Sequence, residues 1–262
     1  MLIEQAQVRS NQALARGLFS MELLAPGIAA VAHPGQFVNI LVSTDVTPLL
    51  RRPMSVASVE GDTFGLIYKL FGQGTRQMSR WSAGQQVNIL GPLGNGWSIP
   101  ENGLPVLVGG GVGIAPIFFL HKHLLAAGRR HLLIMGARDK SEHFLEHNPS
   151  GDVILTTDDG SLGVSGSVIA GLEVALVSTE EPVSLLGCGP PAMLKALQVF
   201  ALEQGLACQL AVEEMMGCGF GICMGCSVEV SGNGDSPPEG DSRRFKLACV
   251  HGPVFPAGEL VL

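Results

Sequence analysis

The chain has 262 residues, a formal net charge of −7 and six cysteines, enough length for one large or two ordinary domains with a proper core. The acidic balance and the lack of a basic run argue against nucleic acid as a partner, and six cysteines are too few for a disulfide scaffold. Met1-Leu2-Ile3-Glu4-Gln5 has neither a basic n-region nor a long apolar h-region, so a cytoplasmic location is expected.

From Ala6 to about Ile99 the sequence reads as short strands broken by turns. Gln36–Val42, Phe64–Leu70 and Gln86–Leu90 are strand candidates, the first preceded by the turn signal Pro34-Gly35. Several short strands at this spacing predict an all-β barrel or sandwich. Two stretches here carry possible chemistry. In Arg51-Arg52-Pro53-Met54-Ser55 a guanidinium can hold a pyrophosphate by bidentate hydrogen bonds, and a serine hydroxyl can meet a flavin ring nitrogen. Gly72-Gln73-Gly74-Thr75 ends another strand and leaves N–H groups and a hydroxyl free for phosphate. Taken alone, each stretch is more often an ordinary turn.

The pattern changes at Glu101-Asn102-Gly103, a polar turn expected to mark a domain boundary. Beyond it, strands alternate with helices. Val106-Leu107-Val108 leads into Gly109-Gly110-Gly111-Val112-Gly113, and a helix is expected over Ile114–Ala127, closed by Gly128. Leu104–Leu120 has no charge, but Pro105, the glycines and Pro116 interrupt it, so no membrane span is expected. Strands are expected at His131–Met135, Asp152–Leu155 and Pro182–Leu186, and a helix at Ala192–Gln204. This alternation predicts a parallel sheet with right-handed crossovers.

The glycine run, at a strand end and a helix start, suits a dinucleotide pyrophosphate at Gly110, Gly111 and Gly113. Pro116 stands where the last glycine of the full fingerprint would be, so by itself the run is as readily a tight turn. Thr157-Asp158-Asp159-Gly160-Ser161 also follows a strand, and Asp159 is the expected ribose acceptor, a solvated turn being the competing reading. Gly187-Cys188-Gly189-Pro190 ends the last strand, in the crevice where open α/β sheets bind ligands. Cys188 is either a small buried residue or a site residue, and its position favours the second.

Cys208–Val212 reads as a strand leading from the nucleotide domain toward Gly217-Cys218-Gly219-Phe220-Gly221-Ile222-Cys223-Met224-Gly225-Cys226. Cys218, Cys223 and Cys226 follow C-x4-C-x2-C, with Cys249 after 22 more residues, which is plant-type iron–sulfur spacing. Structural zinc normally takes two close pairs, disulfides need an oxidising compartment, and inert cysteines seldom crowd among glycines. Ser227–Val230 and Phe245–Val250, the second bearing Cys249, are expected strands around a polar loop over Ser231–Arg244. A module of about 50 residues draws part of its folding free energy from its metal.

The order of these parts resembles the electron-transfer subunit of class 1B dihydroorotate dehydrogenase, within the ferredoxin–NAD(P) reductase superfamily. The resemblance covers almost the whole chain and is most specific in Arg51–Ser55, Ile67-Tyr68-Lys69, Gly91-Pro92-Leu93-Gly94-Asn95-Gly96, Gly187–Pro191 and Cys249 before His251-Gly252-Pro253. It implies a multidomain α/β plus β fold: an antiparallel β-barrel FAD domain (1–100), an α/β parallel-sheet NAD domain (101–207) and a small C-terminal antiparallel 2Fe–2S module (208–262). It implies FAD contacts from Arg52, Pro53, Met54, Ser55, Ile67, Tyr68, Lys69, Gly74 and Thr75, and cluster ligation by Cys218, Cys223, Cys226 and Cys249. Similar reductases often carry an aromatic residue where Met54 stands, stacking on the flavin. The nucleotide contacts expected are Gly110, Gly111, Gly113, Asp159, Cys188, Gly189 and Pro190, with Cys188 near the nicotinamide. NAD rather than NADP follows from the resemblance, since Arg138 and Asp159 point in opposite directions electrostatically.

A flavin converts between hydride and single electrons, which the combination of nicotinamide and cluster requires. No residue set for oxidising an organic substrate is left over, so no catalytic side chain is assigned. The resemblance implies an FMN-containing dihydroorotate dehydrogenase subunit as partner, in a heterotetramer of two copies of each, serving pyrimidine biosynthesis. A related NAD(P)H-dependent reductase subunit serving an oxygenase, a hydrogenase or a ferredoxin is the alternative, and a non-catalytic redox sensor a third reading.

Overall fold

The structure, a computed structural model, describes residues 1–43, 48–177, 179–231 and 244–262. Most of the polar loop expected over 231–244 therefore lies outside the described residues. The first part of the chain is a closed antiparallel barrel of β1 (Leu2–Ala15), β2 (Leu18–Leu24), β3 (Phe37–Ile40), β4 (Arg52–Glu60), β5 (Thr63–Lys69) and β6 (Gln86–Leu93). Its strand order is β1-β2-β5-β4-β3-β6, with the short helices α1 (Pro26–Ala29) and α2 (Gln73–Met78) in the connections. Closure removes both exposed sheet edges. Val8, Met21, Leu23, Val38, Ile40, Val56, Phe64 and Leu66 fill the interior. The long β1 has no apolar run to announce it, because only Ala6 and Val8 of its 14 residues are buried.

The second part alternates β7 (Leu104–Gly110), α3 (Ile114–Ala126), β8 (Leu132–Ala137), β9 (Val153–Thr157), β10 (Val164–Ser165), α4 (Val168–Leu176), β11 (Val183–Cys188), α5 (Pro191–Glu203) and β12 (Ala207–Ala211). The cluster region adds β13 (Ser227–Val230), β14 (Arg244–Leu247) and β15 (Val254–Pro256). The sheet order is β10-β9-β8-β7-β11-β12-β15, parallel except for β15, which runs antiparallel on β12. Every residue of β7 is buried, as a central strand covered on both faces must be. The chain leaves β7 toward β8 on one side and later returns to its other side as β11. The crevice of an open sheet lies at that switch point, and there Cys188 sits level with Gly109.

Three details differ from the sequence expectation. β12 does not lead away from the nucleotide sheet but is hydrogen-bonded into it beside β11, and β15 extends the same sheet. The strand expected over Phe245–Val250 stops at Leu247, and Cys249 lies in the following turn. There the Val250 and His251 N–H groups both donate to the Leu247 carbonyl, at 3.1 and 2.8 Å, which ends the ladder and turns the Cys249 thiol toward Cys226. The helix α4 was not foreseen, since its apolar run Val168-Ile169-Ala170 gives no helical period; Ser167 caps it by accepting the Ile169 N–H at 3.3 Å.

A pair of histidines joins α3 to the start of β8. His131 Nδ1 donates to the Arg129 carbonyl at 2.8 Å, so its Nε2 accepts from His121 Nδ1 at 2.7 Å. Burial, and secondarily the neighbouring His131, hold the His121 pKa down from 6.5 to about 4. A base with a depressed folded-state pKa is protonated first in the unfolded chain, so acid favours unfolding. Stability is therefore expected to fall as pH drops from about 6.5 toward about 4, and His121→Gln to flatten that part of a denaturation profile. Equal slopes in both proteins would contradict this.

Candidate functional site

The start of barrel strand β4 and the end of β5 lie beside a cavity of about 410 Å³. Pro53, Met54 and Ser55 from β4, Ile67, Tyr68 and Lys69 from β5, and Thr75 from α2 line it, so seven of the nine residues expected to touch FAD share one wall. The other two, Arg52 and Gly74, meet at its edge. A Cβ on Gly74 would lie 2.9 Å from Arg52 Nε, so the glycine is what lets the guanidinium lie across the turn. Arg52 also donates to the Leu50 carbonyl at 2.7 Å. Its neighbour Arg51 points elsewhere, donating to the backbone carbonyls of Asn39 (3.3 Å) and Asn88 (3.2 Å), and so ties barrel strands together. The Thr75 hydroxyl accepts the Phe71 N–H at 2.9 Å and orders the turn before α2. Apolar faces at Met54 and Ile67, a hydroxyl at Ser55, and a cation in a notch that a Cβ would fill suit a flavin with its pyrophosphate.

The opposite wall comes from the end of the chain: Val212, Glu213, Glu214, Met216 and Pro253. Of these, Val212 and Pro253 fall in stretches the sequence marks, while Glu213, Glu214 and Met216 do not, although the acidic pair just before the cysteine loop is a visible signal. Burial pushes the carboxyl groups of both Glu213 and Glu214 up. Cys188 lies behind this wall, almost fully buried, and burial, then the nearby Glu213, push its thiol well up.

A second cavity of about 330 Å³ lies at the sheet's switch point, lined by Gly110, Gly111, Arg138, Thr156, Asp158, Ser167 and Pro190 among others. A Cβ on Gly113 would collide with the Cys188 carbonyl, and one on Gly189 with Met193. These two glycines shape the crevice by letting the β7 and β11 ends close on each other. Asp159 does not line it. Its carboxylate accepts the Ser161 N–H at 2.9 Å, and Asp158 faces the crevice instead.

Lys69 lines both cavities. Its ammonium lies 3.8 Å from the buried carboxylate of Glu142, which also receives Arg138 at 2.9 Å and lies 3.6 Å from Arg16. Desolvation raises the Glu142 carboxyl, but the hydrogen bond from Arg138 and the charge of Lys69 outweigh it and hold the group below its ordinary range. Barrel and nucleotide domain are thus joined by a paired charge beside the passage between their cavities.

In the cysteine loop, Cys218 Sγ accepts the N–H groups of Ile222 (3.3 Å), Cys223 (3.4 Å) and Phe220 (3.5 Å). Desolvation raises that thiol, but these donors outweigh it and bring it to about 6. Gly219 and Gly221 take φ of +80° and +92°, which turns successive N–H groups inward. Cys226 and Cys249 form a second pair with sulfurs 3.2 Å apart. Two pairs match a 2Fe–2S cluster, in which each iron takes two protein thiolates. Among the described residues no three Cys, His, Asp or Glu side chains converge to hold a single metal ion.

Residues 213–261 match the family model for the iron–sulfur cluster binding domain of dihydroorotate dehydrogenase B. The dihydroorotate dehydrogenase B (NAD(+)) electron transfer subunit of Bacillus mycoides (strain KBAB4) is 36% identical over 270 aligned positions, covering 100% of both chains. That of Bacillus cereus (strain Q1) is 35% identical with the same coverage. The solved structure of an NADH-dependent reduced ferredoxin-NADP oxidoreductase, studied for flavin-based electron bifurcation, superimposes with a TM-score of 0.84 at 29% identity, covering 98% of this chain and 89% of that one.

The two neighbouring arginines are expected to differ sharply. Arg52→Ala should weaken FAD binding about tenfold or more, the ~1.5–3 kcal/mol of a charge-assisted hydrogen bond, in titrations of flavin into the apoprotein. Arg51→Ala should instead lower the unfolding midpoint while leaving flavin affinity close to wild type. Normal FAD affinity in Arg52→Ala would count against the cavity as the flavin site.

Proposed function

The chain belongs to the family of dihydroorotate dehydrogenase B electron transfer subunits, and from that premise we propose how its residues connect NAD(H) to a partner subunit that oxidises dihydroorotate on FMN. The observation that carries the proposal is the second wall of the flavin cavity. Met216 lines that cavity and Cys218 follows two positions later, which bounds the distance from cavity wall to first cluster cysteine at about 7 Å along the backbone. When bound, FAD supplies the exchange of a hydride with nicotinamide and of single electrons with the cluster.

The chain's own residues bind, orient and shield. Arg52, lying against Gly74, would hold the pyrophosphate, and Pro53–Ser55 with Ile67–Lys69 would seat the ring system. Gly110, Gly111, Gly113, Gly189 and Pro190 shape the dinucleotide crevice, and Asp158 takes the ribose role that Asp159 was expected to fill. Arg138 lines the same crevice with the opposite charge, so the choice of NAD rests on the family. Cys188, behind Glu213, borders the place where the nicotinamide reaches the flavin. The thiolates of Cys218, Cys223, Cys226 and Cys249 hold the cluster.

The partner surface is the rim of the cysteine loop, where Ile222 (75% exposed) and Met224 (59%) stand out with Val250 and Phe220. Apolar side chains gathered round a redox centre suit a protein surface rather than solvent. Dihydroorotate oxidised at the partner's FMN would release electrons through this rim to the cluster, and onward to NAD+, in pyrimidine biosynthesis. Two copies of each subunit complete the assembly, in the cytoplasm. No helix among the described residues is long and apolar enough to cross a membrane.

Co-expression with the FMN-containing subunit should give dihydroorotate oxidation linked to NAD+, in a complex whose native mass corresponds to two copies of each chain. In that complex Cys223→Ser should lose cluster absorbance and nearly all of the linked activity, while NADH still reduces a dye at the flavin. Retained cluster content in the variant would refute the ligand assignment. A pair without linked activity would refute the function.

A further inference from the structure

We propose that Asn39 is a positioning residue that fixes the cluster loop to the flavin barrel and thereby sets electron transfer between the two sites. The inference rests on the reading above that a cluster on the four cysteines exchanges electrons with the flavin. Asn39 lies in β3, level with Pro53 of β4, which lines the flavin cavity, and with Leu90 of β6. Its side chain is 1% exposed in a strand whose other residues are Phe37, Val38 and Ile40. Asparagine is disfavoured in such a strand, and burying its amide is costly unless it is bonded.

The amide makes one contact that repays this. Asn39 Nδ2 donates to the Cys218 carbonyl at 2.8 Å, across 179 positions of sequence. Among the described residues Asn39 Oδ1 has no hydrogen-bond partner. The orientation is therefore set by Cys218 alone, because the reversed amide would put two oxygens face to face. The backbone of Gly219 passes directly over this amide, and a Cβ there would strike it. Packing alone would be served better by leucine, which has the same branching and no polar atom to desolvate.

The consequence falls on Cys218, two positions beyond Met216 of the cavity wall. Cys218 is held at its carbonyl by the barrel and at its N–H by Cys223 Sγ at 3.4 Å, so the peptide groups on both sides of it are fixed. Its own sulfur collects the three N–H groups of the loop. Anchoring that one residue orders the group of donors that tune a metal-bound thiolate. Asn95, just beyond β6, acts similarly on the Cys249 side by donating to the carbonyls of Val250 and His251, both at 3.1 Å.

The test compares Asn39→Leu, which keeps volume and loses the donor, with Asn39→Ala, which loses both, in the full chain. Three readouts are taken: amide exchange over residues 217–226, the electron paramagnetic resonance spectrum of the dithionite-reduced cluster, and the rate at which NADH reduces the cluster. The rate of flavin bleaching by NADH reports whether the barrel is intact. Both variants are expected to speed exchange in the loop, shift the spectrum and slow cluster reduction tenfold or more. Wild-type exchange, spectrum and rate in Asn39→Leu, with changes confined to Asn39→Ala, would show a packing role and overturn the proposal. Should a variant fail to hold its cluster, exchange measured on cluster-free chains decides, with unchanged exchange in Asn39→Leu overturning it. A wild-type chain that assembles no cluster would instead defeat the reading beneath.

Discussion

The chain's return path is the constraint on which its sites depend. After β12 the backbone runs along the open side of the flavin cavity, turns through four glycines around the first three cysteines, and comes back as β15 on the edge of the same sheet. Because both ends of this excursion are hydrogen-bonded to one another through β12 and β15, the cysteine loop cannot swing away from the flavin without breaking a sheet edge. Gln198 of α5 adds to the restraint by donating to the carbonyls of Ala257 (2.6 Å) and Leu260 (2.8 Å). A segment too small to be stable by burial alone is thus stabilised by a sheet it extends and by the metal it binds.

Distance and order follow from this path. The cavity between Pro53–Ser55 and Glu213–Met216 meets the nucleotide crevice through Lys69, which lines both, and the first cysteine of the loop follows Met216 by two positions. Glu142 takes a central position with Arg138, Lys69 and Arg16 around it, so its buried charge is compensated from both domains. Removing one partner from such a group costs more than the pair contributes, since it strands a charge.

Much of this was legible in the sequence wherever function requires a local pattern. Cysteine spacing, Arg51–Ser55 and the glycine run each fit within ten residues, and the structure places Pro53–Ser55 on the cavity wall and the glycine run at the end of β7. What the sequence did not disclose depends on partners remote in the chain. Asn39 meets Cys218 only because β3 lies beside the return path, and no composition or period announces that. Glu213, Glu214 and Met216 form a wall only once β12 is placed in the sheet rather than ahead of it. Asp158 rather than Asp159 faces the crevice because the turn after β9 engages the Asp159 carboxylate with the Ser161 N–H, a local closure that composition does not show. The β1 strand was obscured because its outward positions are polar and its inward ones few.

The central claim is that one chain holds a two-electron and a one-electron centre in contact. Anaerobic titration of the purified chain with NADH, followed at the flavin and cluster bands, tests it most directly. An uptake of about three electrons per chain is expected, two at the flavin and one at the cluster, with both bands bleaching. An end point near two electrons, with the cluster band unchanged until a stronger reductant is added, would contradict it.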